Sequence, residues 1–224
     1  MHDGPPELVW YVSYGSNLHR ARFLSYLVGG RMPGGLRDDA GCRDPSPPLA
    51  DAALHLPFPL YFSGESRVWT GGVAFLDHTP HADGRRTYAR GYVITGEQFE
   101  DVVAQESKRA HATVDWAALL RDGRVRCGPG RYDLAVVVGE RDGLPMVTFT
   151  HPEPQAANPT AAPVVGYLHT LAVGLRDAHR LSDPEVVDYL VAHPGAREAW
   201  TAPRLAAALA EWEAALAEAE VSGG

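Results

Sequence analysis

The chain has 224 residues, 45% of them apolar, enough to bury one substantial core, so a single domain over residues 1–224 is expected. Its formal net charge of -8 comes with no run of arginine or lysine, which argues against nucleic acid and membranes as partners. Cys42 and Cys127 match no metal or redox spacing, and neither a signal-type N-terminus nor a membrane-length apolar run is present. The expectation is therefore a cytoplasmic chain in a reducing compartment.

In chain order, the first informative stretch is Trp10-Tyr11-Val12-Ser13-Tyr14-Gly15-Ser16-Asn17-Leu18. An apolar run turns at a glycine and enters a helical pattern from about residue 18 to 28, with Ser16 or Asn17 as the expected cap. Gly15 lets the backbone approach a ligand, and N–H groups at such a turn suit a carboxylate or phosphate. Residues 34 to 59, with Pro45-Ser46-Pro47-Pro48 at the centre, read as a long surface loop.

Strands are expected at 58–62, 70–76 and 90–94, and a hairpin joins 132–138 to 145–150 around Gly139 to Gly143. Between them, Asp77, His78, His81 and Asp83 sit in a turn at a spacing that fits no familiar metal site, so no metal is expected. Helices are predicted near 97–107, 113–121, 164–176, 184–193 and 203–219. Ser182-Asp183-Pro184 supplies a cap and a first-turn proline for the second to last. The C-terminal helix carries Leu205, Leu209, Trp212 and Leu216 on one side, a stripe for docking on its own subunit or on a second copy in a homodimer. Docking within the subunit is the expectation. Strands in the middle and helices at the ends argue for an α+β fold, a small mixed β-barrel or curled sheet with flanking helices.

The helix after Ile94 begins at a capping box, Thr95 with Gln98. Phe99, Val102 and Val103 form its apolar stripe, and the next position of that stripe is Glu106, about 20° from Phe99 at 100° per residue. Of four acids, Glu97, Glu100, Asp101 and Glu106, only Glu106 is expected to face inward. A carboxylate aimed at the interior needs a partner or a task. One reading is a helix-end ion pair with Arg109 or another arginine; the other is a general acid/base.

Several blocks in order resemble the γ-glutamylcyclotransferase family. They are Tyr14-Gly15-Ser16-Asn17-Leu18; Phe58-x-Leu60-x-Phe62; Trp69-x-Gly71-Gly72-x-Ala74; Gly91-Tyr92-Val93 before a helix ending in Gln105-Glu106; Gly130-x-Tyr132; and Pro163 through Tyr167 with Gly174 and Leu181. The resemblance spans most of residues 8–195. It implies cyclisation of a γ-glutamyl substrate to 5-oxoproline, an amide-cleaving reaction that releases an amine or amino acid. Glu106 would be the catalytic acid/base, and the residues Tyr11, Val12, Ser13, Tyr14, Gly15, Ser16 and Asn17 would line the substrate site with Tyr167 closing its other side. No metal or organic cofactor is implied, and the implied partner is the small γ-glutamyl molecule.

The chain departs from the family pattern in two expected insertions, near 34–57 and 108–128. It also has Ser107-Lys108-Arg109 where a glycine is more typical. Two other readings are compatible with the same residues: a different amide or acyl-transfer reaction on this scaffold, and a non-catalytic small-molecule-binding protein. The leaving group separates the first from cyclisation; the inward carboxylate argues against the second. No Gly-x-Ser-x-Gly elbow or phosphate loop points to a serine hydrolase or nucleotide enzyme.

Overall fold

Val9–Ser13 forms strand β1, and its alternating side chains enter two different cores. Val9 and Tyr11 join one cluster, Trp10 and Val12 the other, so β1 is the wall between two layers. The computed structural model describes residues 4–31, 38–66 and 68–222. Around β1 stand β2 (Ala50–Leu56), β5 (Thr87–Ile94), β6 (Arg124–Arg126), β7 (Leu134–Arg141) and β8 (Leu144–Thr150) in the order β2-β5-β1-β8-β7-β6. β1 runs antiparallel to β5 and parallel to β8. A separate antiparallel ribbon pairs β3 (Leu60–Ser63) with β4 (Val73–Leu76). Among the described residues the large sheet stays open at β2 and β6, so of the two forms expected the chain adopts the curled sheet, not the closed barrel.

Six α-helices flank these sheets among the described residues: α1 (Arg20–Val28), α2 (Gly96–Glu106), α3 (Trp116–Asp122), α4 (Val165–His179), α5 (Asp183–Val191) and α6 (Ala202–Ser222). On one face of the sheet, Phe23, Phe99 and Trp116 from α1, α2 and α3 pack on Tyr11, Tyr92 and Phe149. The Phe23 and Tyr92 rings stack with centroids 4.1 Å apart. Each such buried aromatic contributes on the order of 2 kcal/mol from area alone. On the other face the β3–β4 ribbon and α4, α5 and α6 close over Trp10, Val12 and Met146. Leu205 and Leu209 of α6 are buried there, which is docking within the subunit, while Trp212 is 40% exposed and lies over Gly166. No described helix is long and apolar enough to cross a membrane.

Two sequence expectations are corrected here. The stretch read as a loop to residue 59 contains β2, an edge strand whose buried positions are Leu54 and Leu56, with Ala52 partly buried on the same face. Two apolar residues among exposed neighbours give too weak an alternation to read, and pairing with β5 supplies the order. Residues 34–37 of that expected insertion lie outside the described residues. The hairpin turn is also tighter than expected. Arg141 pairs with Leu144, leaving Asp142 and Gly143, both at positive φ, as a two-residue turn, and the register shifts between Val137 and Gly139.

Candidate active site

β1 ends at the turn Tyr14-Gly15-Ser16-Asn17, where the chain forms a three-residue 3-10 turn, Ser16–Leu18, before α1. Neither Ser16 nor Asn17 caps α1. His19 does, its ring accepting the Arg22 N–H, because the intervening 3-10 turn moves the helix start from the expected residue 18 to Arg20. The anion-friendly feature at the turn is thus a set of leading N–H groups rather than the end of a long helix dipole. The turn is wedged in place by α4: a Cβ on Gly174 would lie 2.4 Å from the Leu18 carbonyl carbon, so only glycine allows this approach.

α2 carries Glu106 to the same place. Its capping box forms as predicted, with Thr95 accepting the Gln98 N–H and Gln98 accepting the Thr95 N–H, and its buried stripe includes Phe99, Val102 and Val103. Glu106, in the last position of the helix, is half-buried and accepts a hydrogen bond from Asn17 Nδ2 at 3.4 Å. The same amide donates to the Tyr11 hydroxyl at 3.2 Å. Arg109 pairs instead with the fully buried Asp133, which also accepts from the Ser107 hydroxyl. Glu106 is in no ion pair among the described residues, so the helix-end pair is not formed and its partner is a neutral amide.

A single cavity is lined by Tyr11, Ser13, Tyr14, Gly15, Ser16, Asn17, Glu106 and Tyr167. Of the residues expected at the site, only Val12 is absent from that lining. Its side chain is fully buried on the opposite face of β1, as strand alternation requires, and it contributes a carbonyl that accepts from Thr148 Oγ1. Tyr14 donates its hydroxyl to the Phe149 carbonyl. The Tyr167 hydroxyl accepts the Ala74 N–H at 3.0 Å and faces the Ser16 N–H, so it ties β4 to the turn. Burial holds the Tyr11 and Tyr167 phenols well above the usual tyrosine range, with the Glu106 charge adding to the effect, so both remain protonated donors.

Sequence reasoning missed several neighbours. Ala74, Tyr132, Thr148 and Phe149 complete the lining, and the Tyr132 hydroxyl donates to the Ala74 carbonyl. Glu100, read as facing elsewhere, is buried: its carboxylate accepts from the Val114 N–H and from Trp116 Nε1. The signal was absent because the covering segment is the 108–128 insertion, remote from the helix stripe. Among the described residues no group of three or more His, Cys, Asp or Glu could hold a metal ion. His78 is instead engaged with the His151 carbonyl, and Asp77 with the backbone of His78 and Gln155.

No family model matches the chain. A histone deacetylase 5 of Arabidopsis thaliana is 33% identical over 199 residues, which is 81% of this chain, and the chain spans 30% of that protein's length. Among solved structures, the chain is similar to a gamma-glutamyl cyclotransferase, with a TM-score of 0.42 and 18% identity over 77% of this chain and 81% of that one. It is also similar to an uncharacterized protein from Homo sapiens, with a TM-score of 0.40 and 19% identity over 77% and 80% of the two chains.

Proposed function

We propose that this chain is a cyclotransferase that converts a γ-glutamyl amide to 5-oxoproline and a free amine. The observation that carries the reading is the convergence of one carboxylate, Glu106, with the Gly15–Asn17 turn on one cavity, the carboxylate held by a neutral amide. A carboxylate locked in an ion pair would be a poor proton acceptor. One steadied by Asn17 and left half-open is available to take and return a proton.

In this reading the substrate α-carboxylate lies against the turn N–H groups. Glu106 removes a proton from the α-ammonium, and the amine nitrogen attacks the γ-carbonyl carbon. The tetrahedral intermediate then collapses: the bond to the leaving nitrogen breaks as Glu106 delivers its proton to it. The ring nitrogen sheds its second proton through the same carboxylate to the departing amine, which leaves as an ammonium. Atoms balance without water, since the amide becomes 5-oxoproline and an amine. Ring closure is intramolecular, so a cavity that holds the glutamyl chain folded supplies much of the acceleration. The Tyr11 and Tyr167 hydroxyls are donors for the developing oxyanion.

The test is release of 5-oxoproline from γ-glutamyl amino acids, γ-glutamyl amines and glutathione by wild type and by Glu106→Gln. Wild-type turnover with a fall of about 10³-fold in kcat for the variant is expected, within the range for loss of a general acid/base. Turnover by both at similar rates removes Glu106 from the chemistry. Absence of turnover with a raised melting temperature in a γ-glutamyl compound leaves a binding protein instead.

A further inference from the structure

Outside the cavity at the turn lies a second chamber lined by Ser16, Arg22, Trp69, Glu106, Lys108, Arg131 and Tyr167, among others. It shares Ser16, Glu106, Tyr132 and Tyr167 with the first, so the two meet across the carboxylate. Among the described residues its charged lining is three basic side chains, Arg22, Lys108 and Arg131, against one carboxylate, Glu106. In a chain whose formal net charge is -8, that concentration runs against the general surface.

None of the three cations is in an ion pair among the described residues; the arginine partners there are Asp51, Asp101, Asp133 and others. Arg22 is the informative one. It is 8% exposed, donates from Nη2 to the Tyr26 hydroxyl at 2.9 Å, and lies 5.6 Å from the Trp69 ring. Its buried Nε has no hydrogen-bond partner. A guanidinium whose side-chain partner is a neutral hydroxyl keeps its charge for an anionic ligand, and a carboxylate matches its forked donors. Lys108 is exposed, follows Glu106 by two residues and is held at φ 54°, a conformation that costs a non-glycine residue energy.

We infer that this chamber receives the leaving half of the substrate and selects γ-glutamyl compounds whose released amine carries carboxylate groups, two better than one. The inference rests on the proposed reaction. With the glutamyl half at the turn and Glu106 between the chambers, the leaving nitrogen faces Arg22, Lys108 and Arg131. A neutral amine gains nothing from that field, and a polyamine is repelled by it.

Three substrates test it: γ-glutamylglutamate, γ-glutamylalanine and γ-glutamylethylamide, whose leaving groups carry two, one and no carboxylates. For wild type at low ionic strength, kcat/KM should fall about tenfold with each carboxylate removed, and the spread should narrow in high salt. In Arg22→Gln and in Lys108→Gly the ratio of kcat/KM for γ-glutamylglutamate over γ-glutamylethylamide should drop at least several-fold. Arg22 is buried, so Lys108→Gly, at an exposed site whose backbone suits glycine, carries the test independently of folding. Equal kcat/KM for all three, a preference for the ethylamide, or an unchanged ratio in both variants overturns the inference and leaves the cyclotransferase reading standing. No turnover of any of the three overturns the reaction, and the inference with it.

Discussion

Asn17 holds Glu106: one side-chain amide bridges the carboxylate, at 3.4 Å, and the Tyr11 hydroxyl, at 3.2 Å. The bridge joins the turn after β1 to the last residue of α2, two segments 89 residues apart. In the proposed reaction Asn17 acts by positioning Glu106. Asn17→Leu keeps the volume and removes the donor, and should lower kcat by about 10²-fold with a smaller change in KM. Steady-state kinetics on the best substrate would show the split. A pure KM effect would instead mean that Asn17 contacts the substrate uniformly through the reaction.

Glu100 fastens the 108–128 insertion to α2 through the Val114 N–H and Trp116 Nε1. Glu100→Ala leaves both donors unpaired in a buried place, and should cost about 2–3 kcal/mol. The loss should be seen as a lower urea midpoint together with faster proteolysis between residues 107 and 115. A wild-type cleavage pattern with the midpoint lowered would show that the insertion is held by Trp116 packing alone.

Gly174 sits inside α4, where a glycine-to-alanine change would ordinarily stabilise by up to about 1 kcal/mol. Here the added methyl would meet the Leu18 carbonyl carbon at 2.4 Å and the His19 nitrogen at 2.7 Å, and both are backbone atoms. Overpacking of this kind costs about 1–3 kcal/mol and wins. Gly174→Ala should lower the melting temperature and, by displacing the turn, reduce turnover more than the loss of stability explains. An unchanged or raised melting temperature would show that α4 can shift at no cost.

Burial lowers the His193 pKa from its ordinary value to about 4, and its Nε2 has no hydrogen-bond partner. The native state therefore resists a proton that the unfolded chain accepts. Stability from this group is fully present above about pH 6.5 and is lost as pH falls towards 4. The loss is bounded at about 3 kcal/mol. Urea titrations of wild type and His193→Gln from pH 7 to pH 4 should show a shallower decline in the variant. Parallel curves would place the acid sensitivity in other histidines, among which His19 and His179 are also lowered by burial.

Much of the element order was legible in the chain because the signals that carry it are local. The Thr95–Gln98 box, the Ser182 cap with Pro184, and the glycine turn at Tyr14-Gly15-Ser16 each act within a few residues, so sequence alone placed α2, α5 and the end of β1. The helical period also aimed Glu106 at the interior, while its meeting with Asn17 of the turn is a tertiary contact. Other features were decided by segments far apart in the chain. β2 is ordered by β5, Glu100 is buried by Val114 and Trp116, and the His19 cap follows from the 3-10 turn that α4 supports. Likewise, Arg22, Lys108 and Arg131 read as three separate basic residues until folding lines one chamber with them. A helix period or cap is written in neighbouring residues. What surrounds a polar side chain depends on which distant segment covers it, and that is fixed only when the whole chain packs.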